Sequence, residues 1–311
     1  YFAGGFSNTS KVDRVDYSND TATASPKGPL SQTVYGLGGT GNSSFGYFGG
    51  GATPGARSKV DRIDYSNDTA TASVKGPLSA ARRYVAATGD DSFGYFGGGG
   101  PGPKSTVDRV DYSNDTATAV AKGPLSAAKG YFGATGNDSF GYFGGGRSPS
   151  TLSTIDRVDY SNDTATAVAK GPLSQARYGA SGSSARANGA IGATNTLPPA
   201  NTPVQNFPVT LFGYVGGGGL SSNAQTTVDR INYNNDTVTA SPKGPLSQGR
   251  RFLASTGNDS FGYFAGGFPL TSTIDRIDYS NDTATGVLKG SLSVSDNRNS
   301  TATSTNSFGY F

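Results

Sequence analysis

The chain repeats itself, and the repeat limits what it can fold into. Tyr-Phe/Val-Gly/Ala-Gly-Gly begins at Tyr1, Tyr47, Tyr95, Tyr142, Tyr214 and Tyr263, and a truncated copy follows at Tyr310-Phe311. A second motif, close to Val-Asp-Arg-Ile-Asp-Tyr-Ser-Asn-Asp-Thr, occurs six times, with its Tyr at 17, 65, 112, 160, 233 and 279. A third, Lys-Gly-Pro-Leu-Ser, starts at Lys27, Lys75, Lys122, Lys170 and Lys243; the copy at Lys289 has Ser291 in place of Pro. The units run near 1–46, 47–94, 95–141, 142–213, 214–262 and 263–311, with an insertion at about 183–207. A period of roughly 45–50 residues fits propeller blades better than short solenoids.

Each unit reads as four short strands. In the third, Phe93-Gly94-Tyr95-Phe96 leads into Gly97-Gly98-Gly99, where glycine permits a tight loop. The segment Tyr95–Thr135 then gives strands at Val107–Tyr112, Thr116–Val120 and Tyr131–Thr135, separated by Ser-Asn-Asp and Lys-Gly-Pro-Leu-Ser. The last of these is rich in Ala and Gly, which suits an innermost strand crowded around an axis. Phe93 and Tyr95 face one way and Phe96 the other, as a blade packed on both sides requires. The expected fold is all-β: one six-bladed propeller over residues 1–311, four antiparallel strands per blade.

The ends make a sharper expectation. Tyr1 lacks the Phe-Gly that precedes Tyr47, and Ser307-Phe308-Gly309 supplies it. The strand near Asn299–Ser304 should therefore complete the blade begun by residues 1–25, with Phe308–Phe311 beside or competing with Tyr1-Phe2. Beginning at Tyr and overlapping by two residues, the chain reads as a processed product or a piece of a longer repeat.

Composition removes most catalytic options. The chain has no His or Cys, and all 22 acidic residues are Asp. Triads with His, thiol nucleophiles, and His or thiolate metal centres are excluded, and no cofactor is expected. A net charge of +3 does not argue for nucleic acid, and no stretch is apolar enough to span a membrane.

With the glycine doublet at Gly49-Gly50 and the following Tyr65, the units resemble kelch repeats. The Trp that this family carries seven positions after the Tyr is replaced by Ala24, Ala72, Ala119, Ala167, Ala240 and Gly286. The wording Asp-Tyr-Ser-Asn-Asp-Thr-Ala-Thr-Ala is similar to that of kelch-like proteins of marine phages and marine environmental sequence. That resemblance implies a non-enzymatic structural or adhesive module of a virion or extracellular assembly. Its expected partners are assembly proteins, host-surface glycans or other copies of the chain. The alternative is a hydrolase or lyase using channel Asp and Arg.

Candidate sites follow from departures within the repeat. Asp-Arg-x-Asp reads as a scaffold in which each Arg pairs with Asp of its own or a neighbouring blade. Asn-Asp-Thr reads as a turn. The third position after each connector Ser holds Val34, Arg82, Lys129, Arg177, Arg250 and Asp296, with Arg83 and Arg251 beside two of them. Arg82, Lys129, Arg177 and Arg250 are expected to ring one mouth of the channel and bind an anionic group. In the insertion, Ile191, Leu197, Val204 and Phe207 are expected to contact a partner.

Overall fold

The computed structural model describes Gly5 and residues 9–184, 211–220, 223–295 and 298–311. They form six four-stranded antiparallel blades and one two-stranded ribbon. The first five blades begin with the inner strands Tyr35–Gly41, Ala86–Gly89, Gly133–Gly136, Ser181–Ser184 and Ala254–Gly257. In the second blade, Phe93–Gly97 lies between Ala86–Gly89 and Val107–Asp111, and Val120–Ala121 is outermost. Tyr95 sits opposite Thr88 on one side and Arg109 on the other. Each blade takes its inner strand from the preceding sequence unit, so blades and units are offset by one strand. No helix among the described residues is long and apolar enough to cross a membrane.

The termini build the sixth blade together. Thr303–Ser304 is its inner strand, followed outward by Phe308–Tyr310, Asp13–Asp16 and Ser25–Pro26. Ser304 Oγ donates to Gly257 O at 3.1 Å and Thr303 Oγ1 lies 2.9 Å from Tyr65 Oη, so this strand joins the fifth blade to the first. Gly5 N donates to Val34 O, as Gly51 N does to Arg82 O. Gly5 thus holds the last glycine of the motif while Tyr310-Phe311 hold its Tyr-Phe. Tyr1-Phe2, expected beside them, lie outside the described residues.

The outer strand is shorter than the spacing predicts. Thr116–Ala119 lies outside the strand, because the third strand runs into a 3-10 turn, Tyr112–Asn114, rather than a tight hairpin turn. Asp111 caps that turn through the Ser113 amide at 2.9 Å. Tyr112 is thereby aimed at the blade before it, where its ring stacks on Tyr47 at 4.6 Å. The same stack joins Tyr17–Tyr263, Tyr65–Tyr310, Tyr160–Tyr95, Tyr233–Tyr142 and Tyr279–Tyr214. Each pair contributes roughly 0.5–1.5 kcal/mol beyond its burial.

Below each stack a carboxylate crosses the blade interface. Asp115 accepts from Tyr47 Oη at 2.9 Å, Arg62 Nη1 at 2.7 Å and Lys75 Nζ at 3.1 Å, all from the preceding blade. The Arg–Lys clamp recurs on Asp20, Asp68, Asp163, Asp236 and Asp282. Burial works to raise the Asp115 carboxyl, but the bonds from Lys75 and Tyr47 and the Arg62 charge outweigh it and hold it below its usual range. Burial and the charge of Asp68 push Tyr310 up to about 12. The Arg of Asp-Arg-x-Asp therefore pairs with the neighbouring blade.

Candidate functional site at the axial mouth

Each connector ends at the top of the channel, and there the backbone does something the repeat does not announce. One residue per blade takes the left-handed conformation: Gly36, Tyr84, Tyr131, Gly179, Phe252 and Asn299, with φ between 58° and 67°. Each N–H donates to the carbonyl of its counterpart in the preceding blade, at 2.5–3.2 Å, and the sixth bond closes the circle. Gly and Asn enter this conformation readily. Tyr and Phe resist it by about 1–2 kcal/mol each.

Those three aromatic rings define the mouth. Tyr84 and Tyr131 stack at 3.9 Å, and Phe252 lies 6.0 Å from Tyr131. Tyr35, Tyr84, Tyr131 and Phe252 are half-buried, so each keeps a surface toward solvent. The Arg83 guanidinium sits 5.2 Å over Tyr84, and Arg251 donates to Tyr178 Oη at 2.6 Å. The floor is made of small residues, including Gly39, Ala87, Ala134 and Ser181. Burial and the adjacent Tyr131 raise the Tyr84 phenol, which stays a neutral donor at ordinary pH.

The four cations expected at this mouth are elsewhere. Arg82, Lys129, Arg177 and Arg250 are at most 2% exposed. Arg82 Nη2 is 2.6 Å from Asp108 and Lys129 Nζ is 2.9 Å from Asp156. Arg177 Nη2 is 3.0 Å from Asp229, and Arg250 pairs with Asp275. The connector is extended here, so neighbouring side chains alternate. The first cation of Arg82-Arg83 and of Arg250-Arg251 turns into the blade, where an Asp awaits it, and the second faces the mouth. Alternation was the signal that separates them. Ile191, Leu197, Val204 and Phe207 lie outside the described residues; the segment that carries them joins Ser184 to Leu211, and the strand runs through Ser184, past the expected start at 183.

The first blade lacks this cation, since Val34 stands at the position of Arg82. Its Asp61 is 4% exposed and is held by Ser31 N at 3.0 Å and Ser31 Oγ at 2.7 Å. Burial pushes its carboxyl above the ordinary 3.8. A raised carboxyl pKa means that the fold disfavours the ion. That penalty is absent below pH 3.8 and grows as pH rises through the folded value. Asp61→Asn is expected to stabilise the protein at pH 7, with the gain shrinking as pH falls from the folded value towards 3.8 and absent at pH 3.5. Thermal melts at pH 7 and pH 3.5 check this.

Charge also separates along the axis. Lys11, Arg57, Lys59, Arg83, Lys104 and Arg147 stand on the mouth face, on connectors and on loops between second and third strands. Asp90, Asp91, Asp138 and Asp259, with the capping residues Asp16, Asp64, Asp111, Asp159 and Asp278, stand at the other end. Among the described residues no cluster of acidic groups could hold a metal ion.

The fold is shared with YjhT. The solved structure of YjhT superposes with a TM-score of 0.63 at 12% identity, over 86% of this chain and 87% of that one. No family model matches the sequence, and no curated protein matches it. The likeness to YjhT extends to the propeller and stops there.

Proposed function

We propose that this chain is a non-enzymatic adhesive or structural module, of a virion or another extracellular assembly, whose axial mouth binds a saccharide. The left-handed Tyr84, Tyr131 and Phe252 carry the reading. Three blades meet the same backbone demand with Gly or Asn, at no cost to the fold. The other three meet it with large rings, half-exposed at a concave opening. Backbone strain held at one spot of a regular scaffold favours a role outside folding. Aromatic faces suit the apolar faces of sugar rings, and Tyr hydroxyls and Arg83 suit their hydroxyl rims. The extracellular assignment, and a kelch-like kinship, rest on the wording of the repeats; the absent Trp counts against the latter. The rival hydrolase reading gains nothing here, since no carboxylate is among the described residues lining the mouth.

A glycan array tests this with wild type and the triple variant Tyr84→Asn/Tyr131→Asn/Phe252→Asn. Asn299 already occupies the equivalent position, so the variant should melt within a few degrees of wild type. Binding should fall at least about 30-fold, the equivalent of one lost hot spot of about 2 kcal/mol. No saccharide bound by wild type, or equal binding by the variant, would refute the proposal.

A further inference from the structure

Beside the mouth, between the second and third blades, lies a cleft of about 170 Å³ lined by Arg83, Tyr84, Gly130, Tyr131 and Arg147 with Pro101 on its rim. Two departures from the repeat create it. The first is Gly130. The residue that precedes the left-handed position is Tyr35, Arg83, Tyr178, Arg251 or Arg298 in the other five blades. Only here is it glycine. The fold does not ask for one: Gly130 is not left-handed, and a Cβ added to it would meet nothing nearer than 3.6 Å. What the glycine does is leave a gap in the wall.

The second departure is Arg147. The residue after the third glycine is Ala52, Gly100, Gly219 or Phe268 in the other described copies. Arg147 pairs backbone to backbone with Gly130, which sets its side chain at the edge of the gap. Arg83 approaches from the opposite side, its backbone paired with Gly100. Among the described residues neither guanidinium meets a carboxylate, whereas the Asp-Arg-x-Asp and buried connector arginines do. Arg147 is exposed and spends its Nε on Pro149 O at 2.9 Å. Arg83 is half-buried and reaches Tyr35 Oη only at 3.4 Å. A missing side chain and two guanidinium groups with donors to spare thus coincide. The Tyr84–Tyr131 stack is the shared wall between this cleft and the mouth.

We propose that this cleft is a subsite for the anionic substituent, a carboxylate or a sulfate ester, of a saccharide whose neighbouring ring lies on the mouth aromatics. The proposal rests on the saccharide reading above and adds the charge of the ligand. Two forked donors lining a gap walled by Pro and Tyr, with the Arg147 guanidinium 5.8 Å from the Tyr178 ring, match a planar or tetrahedral oxyanion better than a hydroxyl. The cationic mouth face draws such a ligand in.

Calorimetric titration at 20 mM salt separates the possibilities. The probes are oligogalacturonate against its methyl ester, and a sulfated galactan oligosaccharide against its desulfated form. Wild type should prefer an anionic member at least about tenfold, with the preference fading as salt is added. The pair that shows it identifies the substituent as carboxylate or sulfate. Gly130→Leu fills the cleft, and Arg147→Gln removes one fork. Both variants should melt as wild type does and lose the preference, keeping affinity for the neutral member within about twofold. Equal binding of charged and neutral members by wild type would overturn the subsite alone. So would a preference that survives Gly130→Leu. Failure of every probe to bind would overturn the subsite together with the saccharide reading.

Discussion

Truncation after Ala302 is expected to abolish cooperative folding. The lost residues carry two of the four strands of the sixth blade. Tyr310 pairs with Arg14 across the sheet and stacks on Tyr65 at 4.6 Å; Phe311 is wholly buried beside Val15 and Ile274. Loss of these two side chains from the core removes roughly 3–6 kcal/mol of burial. The inner strands also lose the member that joins the fifth blade to the first, and Asp13–Asp16 becomes an open edge. Against a total stability of about 5–15 kcal/mol, that is enough to unfold or aggregate most of the protein. Circular dichroism melts and gel filtration would show it. A truncated chain that melts cooperatively within a few degrees of the full chain would contradict closure by the two ends.

Asp275→Ala should be strongly destabilising. Arg250 is fully buried and donates to Phe264 O, Gly266 O and Thr273 O as well as to Asp275. Removal of the carboxylate strands a guanidinium with no counter-charge, at a cost of about 3–5 kcal/mol. Removal of both partners, as Arg250→Met/Asp275→Leu, should restore most of that loss. The pair then reports scaffold chemistry, and a thermal melt of the three variants checks it.

The period of the motifs was enough to count the blades, name the inner strand and join the termini, because each of these follows from spacing and strand pattern. Side-chain direction at the connectors was harder. Arg82 and Arg83 differ by one position, and only the extended backbone decides which enters the blade. The hydrogen-bonded circle was out of reach, since its six members come from six separate segments and no local rule marks a left-handed Tyr. A trace of it was present: Gly36, Gly179 and Asn299 share a position with Tyr84, Tyr131 and Phe252 once the units are aligned. The partner of each Asp-Arg-x-Asp arginine was half legible. Charge identity pointed to Asp, and only the 3-10 turn carries Asp115 across to Arg62 of the preceding blade.

In the proposed function, repeated charges build the blades and repeat-breaking residues serve the mouth. Saccharide affinity and melting temperature, measured side by side on Arg82→Met and Tyr84→Asn, test that division most directly. Arg82→Met leaves the buried Asp108 with its Ser79 donors but no counter-charge, so it should melt below wild type yet bind as wild type does while folded. Tyr84→Asn should melt with wild type and bind at least about tenfold more weakly. Normal stability with lost binding in Arg82→Met, or normal binding with lost stability in Tyr84→Asn, would contradict it.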